Sequence, residues 1–207
     1  MRPASASGGT LRLGFLASHN GSSLRAIVEA IADGRLKAEA AVVVSNNADA
    51  GALAYARDRG LPALHISATS EGSAEAADRA IAEAMDRADV GVIVMSGYMR
   101  KLGPETLRRF EGRILNIHPA LLPGHGGQGM YGRRVHEAVL KAGDAVSGAT
   151  VHIVDGEYDH GPLLLQAEVP VLPGDTAAAL EARVQAIEPE LYIEVLRTIS
   201  GGLAGRS

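Results

Sequence analysis

Val90-Gly91-Val92-Ile93-Val94-Met95 has no polar side chain at any of its six positions. A strand with one wet face alternates apolar and polar residues. A run that is apolar on both faces belongs in a sheet covered on both sides, the setting of a central parallel strand. Outward from this run, short apolar stretches alternate with longer ones of helical spacing. Leu11–Ala17, Ala40–Val44, Ala63–Ile66 and Ile114–Ile117 read as strands, and Ser23–Asp33, Ala50–Arg59, Ala74–Arg87 and Pro104–Phe110 read as helices between them. That alternation predicts a Rossmann-like α/β fold, a mostly parallel sheet with right-handed crossovers and flanking helices. After the Pro119–Gly132 loop, Arg133–Ala142 reads as a helix. Thr150–Val154 and Leu163–Val171 form a strand pair across the Asp155–Pro162 loop, an antiparallel C-terminal extension of the sheet. Thr176–Ser200 closes the chain as a helix, with Asp175 or Thr176 as N-cap and a kink or break expected at Pro189.

The 207 residues, 46% apolar and 21% charged, suit one globular domain or a two-lobed unit with a substantial core. A net charge of −4 gives no overall field that would draw the chain to nucleic acid or an anionic membrane. With no cysteine there is neither a disulfide nor a thiol nucleophile, and a structural zinc site is disfavoured. No apolar run reaches the roughly 18 residues of a membrane span. Residues 1–10, rich in Ser, Gly and Ala, lack the apolar segment of a secretory signal and are expected to be disordered. A cytoplasmic location is the expectation.

Four motifs carry chemistry. Ser18-His19-Asn20-Gly21-Ser22-Ser23-Leu24 links the first strand to the first helix. Main-chain N–H groups at a helix N-terminus make an anion site, and Gly21 permits close approach. Asn and Ser also favour helix starts without any ligand, so an ordinary cap is the alternative. In Asn116-Ile117-His118-Pro119-Ala120-Leu121-Leu122-Pro123 an amide and an imidazole stand two apart at a strand's carboxyl end, where open α/β sheets bind ligands. An amide donates without titrating and an imidazole exchanges protons, a pair suited to acyl transfer. Asp155-Gly156-Glu157-Tyr158-Asp159-His160-Gly161-Pro162 offers a carboxylate that could hold such an imidazole charged. It is equally a polar turn, and its acids with His152 and His160 miss the spacing of a metal loop. Gly97-Tyr98-Met99-Arg100-Lys101-Leu102 could hold a flat anionic ligand or be solvated surface.

Together these motifs resemble the glycinamide ribonucleotide formyltransferases of de novo purine synthesis, from about Leu11 to Ser200. Asn116-Ile117-His118-Pro119 with Leu121-Leu122-Pro123 and the downstream Asp159-x-Gly161-Pro162 mark the wider formyltransferase superfamily. Asn20-Gly21-Ser22 narrows the likeness to the ribonucleotide enzymes. The resemblance implies one formyltransferase domain over 11–207, with a nucleotide-binding half (11–113) and a catalytic, folate-binding half (114–207). It implies that Gly21, Ser22 and Ser23 bind the substrate's phosphate end, and that Gln185 and Glu188 hold its glycinamide side. Met99, Arg100, Lys101 and Leu102 would line the folate pocket. Asp155, Gly156, Glu157, Tyr158 and Asp159 would contact the pterin, with Asn116 also on the folate side. Asn116, His118 and Asp159 would be catalytic, Asp159 raising the pKa of His118 so that it stays a proton donor. The chain departs from the pattern at Ser23, often Asn; at Ala74, often Arg on the folate side; at Pro189, often His; and in its Gly124–Gly132 loop.

The implied reaction moves the formyl group of 10-formyltetrahydrofolate, a co-substrate, to the amine of phosphoribosylglycinamide without a metal. The partners are then small molecules, and a homodimer stays open. The alternatives are a 10-formyltetrahydrofolate hydrolase, a methionyl-tRNA formyltransferase, and an inactive nucleotide-binding module on the same scaffold. The hydrolases usually have a regulatory domain ahead of the catalytic one, and this chain begins its first strand near Leu11. The tRNA enzyme has a C-terminal tRNA-binding domain, and this chain is acidic. Joint retention of Asn116, His118 and Asp159 speaks against an inactive module.

Overall fold

The computed structural model describes residues 10–204, so the disorder expected for the N-terminus falls outside the described residues, Thr10 excepted. Seven strands, β1 (Leu11–Leu16), β2 (Ala38–Ser45), β3 (Ala63–His65), β4 (Val92–Met95), β5 (Ile114–His118), β6 (Val146–Ile153) and β7 (Leu163–Pro170), form one sheet in the order β3-β2-β1-β4-β5-β6-β7. The opening stretch supplies β4. It holds the middle position and all four of its residues are buried, as apolarity on both faces requires. The chain divides into two compact units, one of residues up to Leu115 with those from Leu196 on, the other Asn116–Val195.

In the first unit β1 pairs in parallel with β2 on one side and with β4 on the other, and β2 pairs in parallel with β3. The chain therefore reverses its direction of travel across the sheet between β1 and β4. That is the switch point at which loops leaving strand ends diverge and open a crevice. Around this sheet run α1 (Ser22–Ala32), α2 (Gly51–Asp58), α3 (Ala68–Glu71), α4 (Ala74–Arg87) and α5 (Pro104–Arg109). Leu24, Ile27 and Val28 give α1 a buried stripe, and Ala77, Ile81, Ala84 and Met85 give one to α4. The short α3 was not expected from apolar spacing. A reciprocal capping box makes it: Ser67 Oγ accepts the Ser70 N–H at 3.1 Å, and Ser70 Oγ accepts the Ser67 N–H at 2.9 Å. The start of α5 is held from another helix. Gly103 provides no side-chain cap, and the buried Asp78 carboxylate of α4 accepts the N–H groups of Glu105 (2.8 Å) and Thr106 (3.1 Å).

In the second unit β6 and β7 pair antiparallel from Val146↔Pro170 to His152↔Leu163. The strand β6 begins four residues before the expected Thr150. Its early residue Gly148 packs against the main chain of Ala167, where a Cβ would collide with the Ala167 carbonyl. Helix α6 spans Arg133–Ala142 as expected, and α7 spans Ala177–Ala204. Thr176 is the N-cap, its Oγ1 accepting the Ala179 N–H at 3.2 Å. Asp175 instead receives the Arg183 guanidinium at 2.6 and 3.0 Å, and that hydrogen bonding holds its pKa down to about 2. The break expected at Pro189 is absent, because α7 runs through that position without interruption. A mid-helix proline costs about 3 kcal/mol. Burial of Leu180 and Val184 before it and of Leu191, Tyr192 and Ile193 after it outweighs that cost.

Candidate active site

In the first unit three strand-end loops are tied through Ser18. Its hydroxyl donates to Asn46 Oδ1 beyond β2 at 2.5 Å and accepts the Met99 N–H beyond β4 at 2.8 Å. Gly21 then starts α1 in the left-handed region, φ 63°, and provides no side-chain cap. A side chain there would be strained, and its Cβ would stand 3.2 Å from the Ala52 Cβ. Ser22 is exposed and Ser23 buried. Ser22 therefore presents its hydroxyl to solvent, whereas Ser23 is turned into the fold. Met99, Arg100 and Lys101 are exposed and Leu102 is buried, so Leu102 packs rather than lining an open surface. Tyr98, just before them, has its pKa pushed up to about 12 by burial.

The second unit gathers Asn116, His118 and Asp159. Strand β5 delivers Asn116 and His118, two residues apart and therefore on one face. Asp159 returns from the loop after β6 with φ 55°, a conformation that Asp tolerates better than most side chains. His118 is 3% exposed, and its Nδ1 lies 3.3 Å from Asp159 Oδ2. Its Nε2 lies 2.8 Å from the His125 carbonyl, which can only accept, so Nε2 carries hydrogen. Asn116 Nδ2 donates to His152 Nε2 at 3.1 Å. The other ring nitrogen, His152 Nδ1, donates to the Ile153 carbonyl at 3.1 Å, which leaves Nε2 free to accept. Asp159 Oδ1 stands 3.6 Å from the same nitrogen.

Burial and charge oppose each other here. Burial pulls the His118 pKa below its ordinary value, while Asp159 and the His125 carbonyl pull it up without prevailing. The expected rise is therefore corrected: Asp159 does attract the proton, but desolvation of the ring is the larger effect. Burial alone would push Asp159 up. His152, the charge of His118 and the Gly127 N–H outweigh it and hold the carboxyl below its usual range. Nδ1 stands 3.3 Å from Oδ2, so the carboxylate is placed to stabilise a proton arriving on that nitrogen.

The remaining expected residues are placed as follows. Asp155 closes its own loop, accepting the Glu157 N–H at 2.9 Å and standing 3.3 Å from His160 Nδ1, while Gly156, Glu157 and Tyr158 are exposed. Gln185 is exposed and Glu188 half-buried on α7, one turn apart. Burial, with the nearby Glu181 charge, pushes Glu188 up to about 7. Three residues were missed as site residues. By sequence His152 is only a metal-ligand candidate, although a lone polar ring at the end of the apolar β6 is the signal. His125 and Gly127 act through their main chains, which no side-chain pattern announces.

Fold and site together define the class: the chain belongs to the formyl transferase family, whose model matches residues 11–196. Within it, the chain is 38% identical over 91% of its length to the chloroplastic phosphoribosylglycinamide formyltransferase of Vigna unguiculata. It is 39% identical over 90% of its length to the phosphoribosylglycinamide formyltransferase of Escherichia coli K12, covering 86% of that protein. It spans only 60% of the Vigna protein and 65% of the chloroplastic relative from Arabidopsis thaliana. The crystal structure of glycinamide ribonucleotide transformylase 1 from Symbiobacterium toebii superposes with a TM-score of 0.88 at 40% identity, over 95% of this chain and 90% of that one.

Proposed function

We propose that the protein transfers the formyl group of 10-formyltetrahydrofolate to the amine of 5'-phosphoribosylglycinamide, giving formylglycinamide ribonucleotide and tetrahydrofolate in purine synthesis. The observation that carries this reading is the contact of His118 Nδ1 with Asp159 Oδ2 beside an oriented Asn116. The amine nitrogen forms a bond to the formyl carbon, and the bond from that carbon to N10 of the folate breaks. One proton must pass from the amine to N10. Neutral His118 takes it at Nδ1, Asp159 stabilises the imidazolium, and the ring returns it to the leaving nitrogen. Asn116 has two amide hydrogens; one is committed to His152 and the other is left for the oxyanion of the tetrahedral intermediate.

Gly21, Ser22 and the main chain of Ser23 are assigned to the phosphate. Glu188, with Gln185, is assigned to the glycinamide side, where a carboxyl pushed up to about 7 gains a partner in an amine. Met99–Lys101 with the main chain of Leu102, and Asp155–Asp159, are assigned to the folate. The partners are two small molecules, the reaction needs no metal, the location is cytoplasmic, and assembly as a homodimer fits the reading. Mixing the purified protein with 10-formyltetrahydrofolate, with and without the ribonucleotide, tests it. Tetrahydrofolate release that depends on the ribonucleotide is expected. Release of formate without it would make the protein a hydrolase.

A further inference from the structure

His125 and Asp144 lie outside the trio of Asn116, His118 and Asp159, yet they hold what supports it. His125 follows Pro123 by two residues and has φ 54°, a region that residues with a Cβ avoid. Its ring Nε2 lies 2.6 Å from Asp144 Oδ2, just beyond the Gly143 C-cap of α6. The carbonyl of the same residue takes the Nε2–H of His118 at 2.8 Å. Two residues further on, the Gly127 N–H donates to Asp159 Oδ2 at 3.0 Å. Gly126 between them has no Cβ; one would collide with Leu122 and stand 3.3 Å from the Asp159 Cβ. A single turn thus touches both members of the proton-holding pair through its main chain.

We propose that the His125–Asp144 pair is a positioning device for formyl transfer, pinning the 124–127 turn so that the His125 carbonyl keeps the proton of His118 on Nε2 and leaves Nδ1 as the exchanging nitrogen. This deepens the reading given under Proposed function and rests on it. An acceptor on one imidazole nitrogen selects the tautomer and makes the other nitrogen more basic. The carbonyl therefore works against burial, which draws His118 down. The groups that act on His118 are Asp159, which attracts its proton, and His152 and His125, which oppose it; His118 in turn opposes a charge on His136. With the His125 ring turned to Asp144, its main chain is anchored at a left-handed angle that it would otherwise leave. The two side chains are 23% and 42% exposed, so the pair adds little to global stability. Its effect belongs to the turn.

Asp144→Ala, Asp144→Asn and His125→Gly in the full chain test this. His125→Gly keeps the carbonyl and tolerates the backbone angle while removing the tether. Nitrogen-15 NMR of the imidazoles, without substrate, reads the tautomer and pKa of His118. In Asp144→Ala we expect the Nε2–H tautomer to lose its dominance and the His118 titration to move to lower pH. Turnover should fall roughly ten- to a hundredfold with KM within about twofold, as a misplaced reacting group costs. Asp144→Asn, whose amide oxygen still accepts the His125 Nε2–H, should recover most of both. The Asp144→Ala/His125→Gly double variant should match the worse single one. An unchanged His118 tautomer and titration in Asp144→Ala overturns the proposal, as does a loss of turnover that only follows a lower Tm. Absence of formyl transfer in the wild type would instead sink the functional reading, leaving the NMR result to judge the turn.

Discussion

His118 Nδ1 stands 3.3 Å from Asp159 Oδ2, and that same oxygen accepts the Gly127 N–H. The carboxylate is thus already oriented before any proton reaches the ring. The ring is buried and drawn toward neutrality, while its neighbour is held ionised. A pair arranged this way suits a proton that arrives and leaves within one turnover better than one that is permanently held.

His118→Asn and Asp159→Asn should each lower kcat by about a hundredfold or more, the usual contribution of a positioned acid–base group, with little change in KM for the ribonucleotide. Asn accepts the left-handed backbone of Asp159, so that variant isolates the charge from the fold. Steady-state kinetics decide, and turnover within a few-fold of the wild type removes the residue from the mechanism.

Glu188→Gln should raise Tm at pH 8 and leave it unchanged near pH 4.5. The folded carboxyl titrates at about 7 against 4.5 when unfolded. Between those values the folded state keeps a proton that the unfolded state releases, so stability falls as pH rises and the penalty is complete above 7. The shift corresponds to at most about 3 kcal/mol, reduced by solvent screening at a half-buried site. Calorimetric melts across this range check it, and equal Tm values at pH 8 would count against a strained carboxylate. The same variant should bind the ribonucleotide more weakly.

Gly21→Val places a branched side chain at φ 63°, with its Cβ 3.2 Å from Ala52 and from Leu24. Ribonucleotide affinity should drop at least tenfold, since the strain and bulk sit at the start of α1, while formylfolate affinity stays within about twofold. Titration calorimetry with each ligand, on protein shown folded by circular dichroism, separates the two. Loss of folate alone would invert the assignment of the two loops.

Thr150→Val tests the support of the proline-bounded loop. The buried Thr150 Oγ1 accepts the Leu122 N–H at 3.0 Å and a Gln166 amide hydrogen at 2.9 Å, and donates to the Ala120 carbonyl at 2.6 Å. Removing the hydroxyl leaves buried partners unsatisfied, at a cost of about 1–3 kcal/mol. Chemical denaturation should show a lower midpoint. An unchanged midpoint would mean that the loop is held by packing.

The sequence by itself determined what depends on side-chain pattern. Apolarity on both faces put Val92–Met95 in the middle of the sheet, and alternation of strands and helices set the fold class. The two-residue step from Asn116 to His118 placed both on one face of β5. Tertiary structure decided what depends on surroundings or on the main chain. Whether Pro189 breaks α7 turned on apolar burial on either side of it, which local propensity does not contain. The cap on α5 came from Asp78 of another helix, and the direction of the His118 shift from how deeply the ring is buried. The His125 carbonyl and the Gly127 N–H are groups that nearly every residue possesses, so their use at the site left no mark in the sequence. Their roles arise only when folding brings one turn against His118 and Asp159.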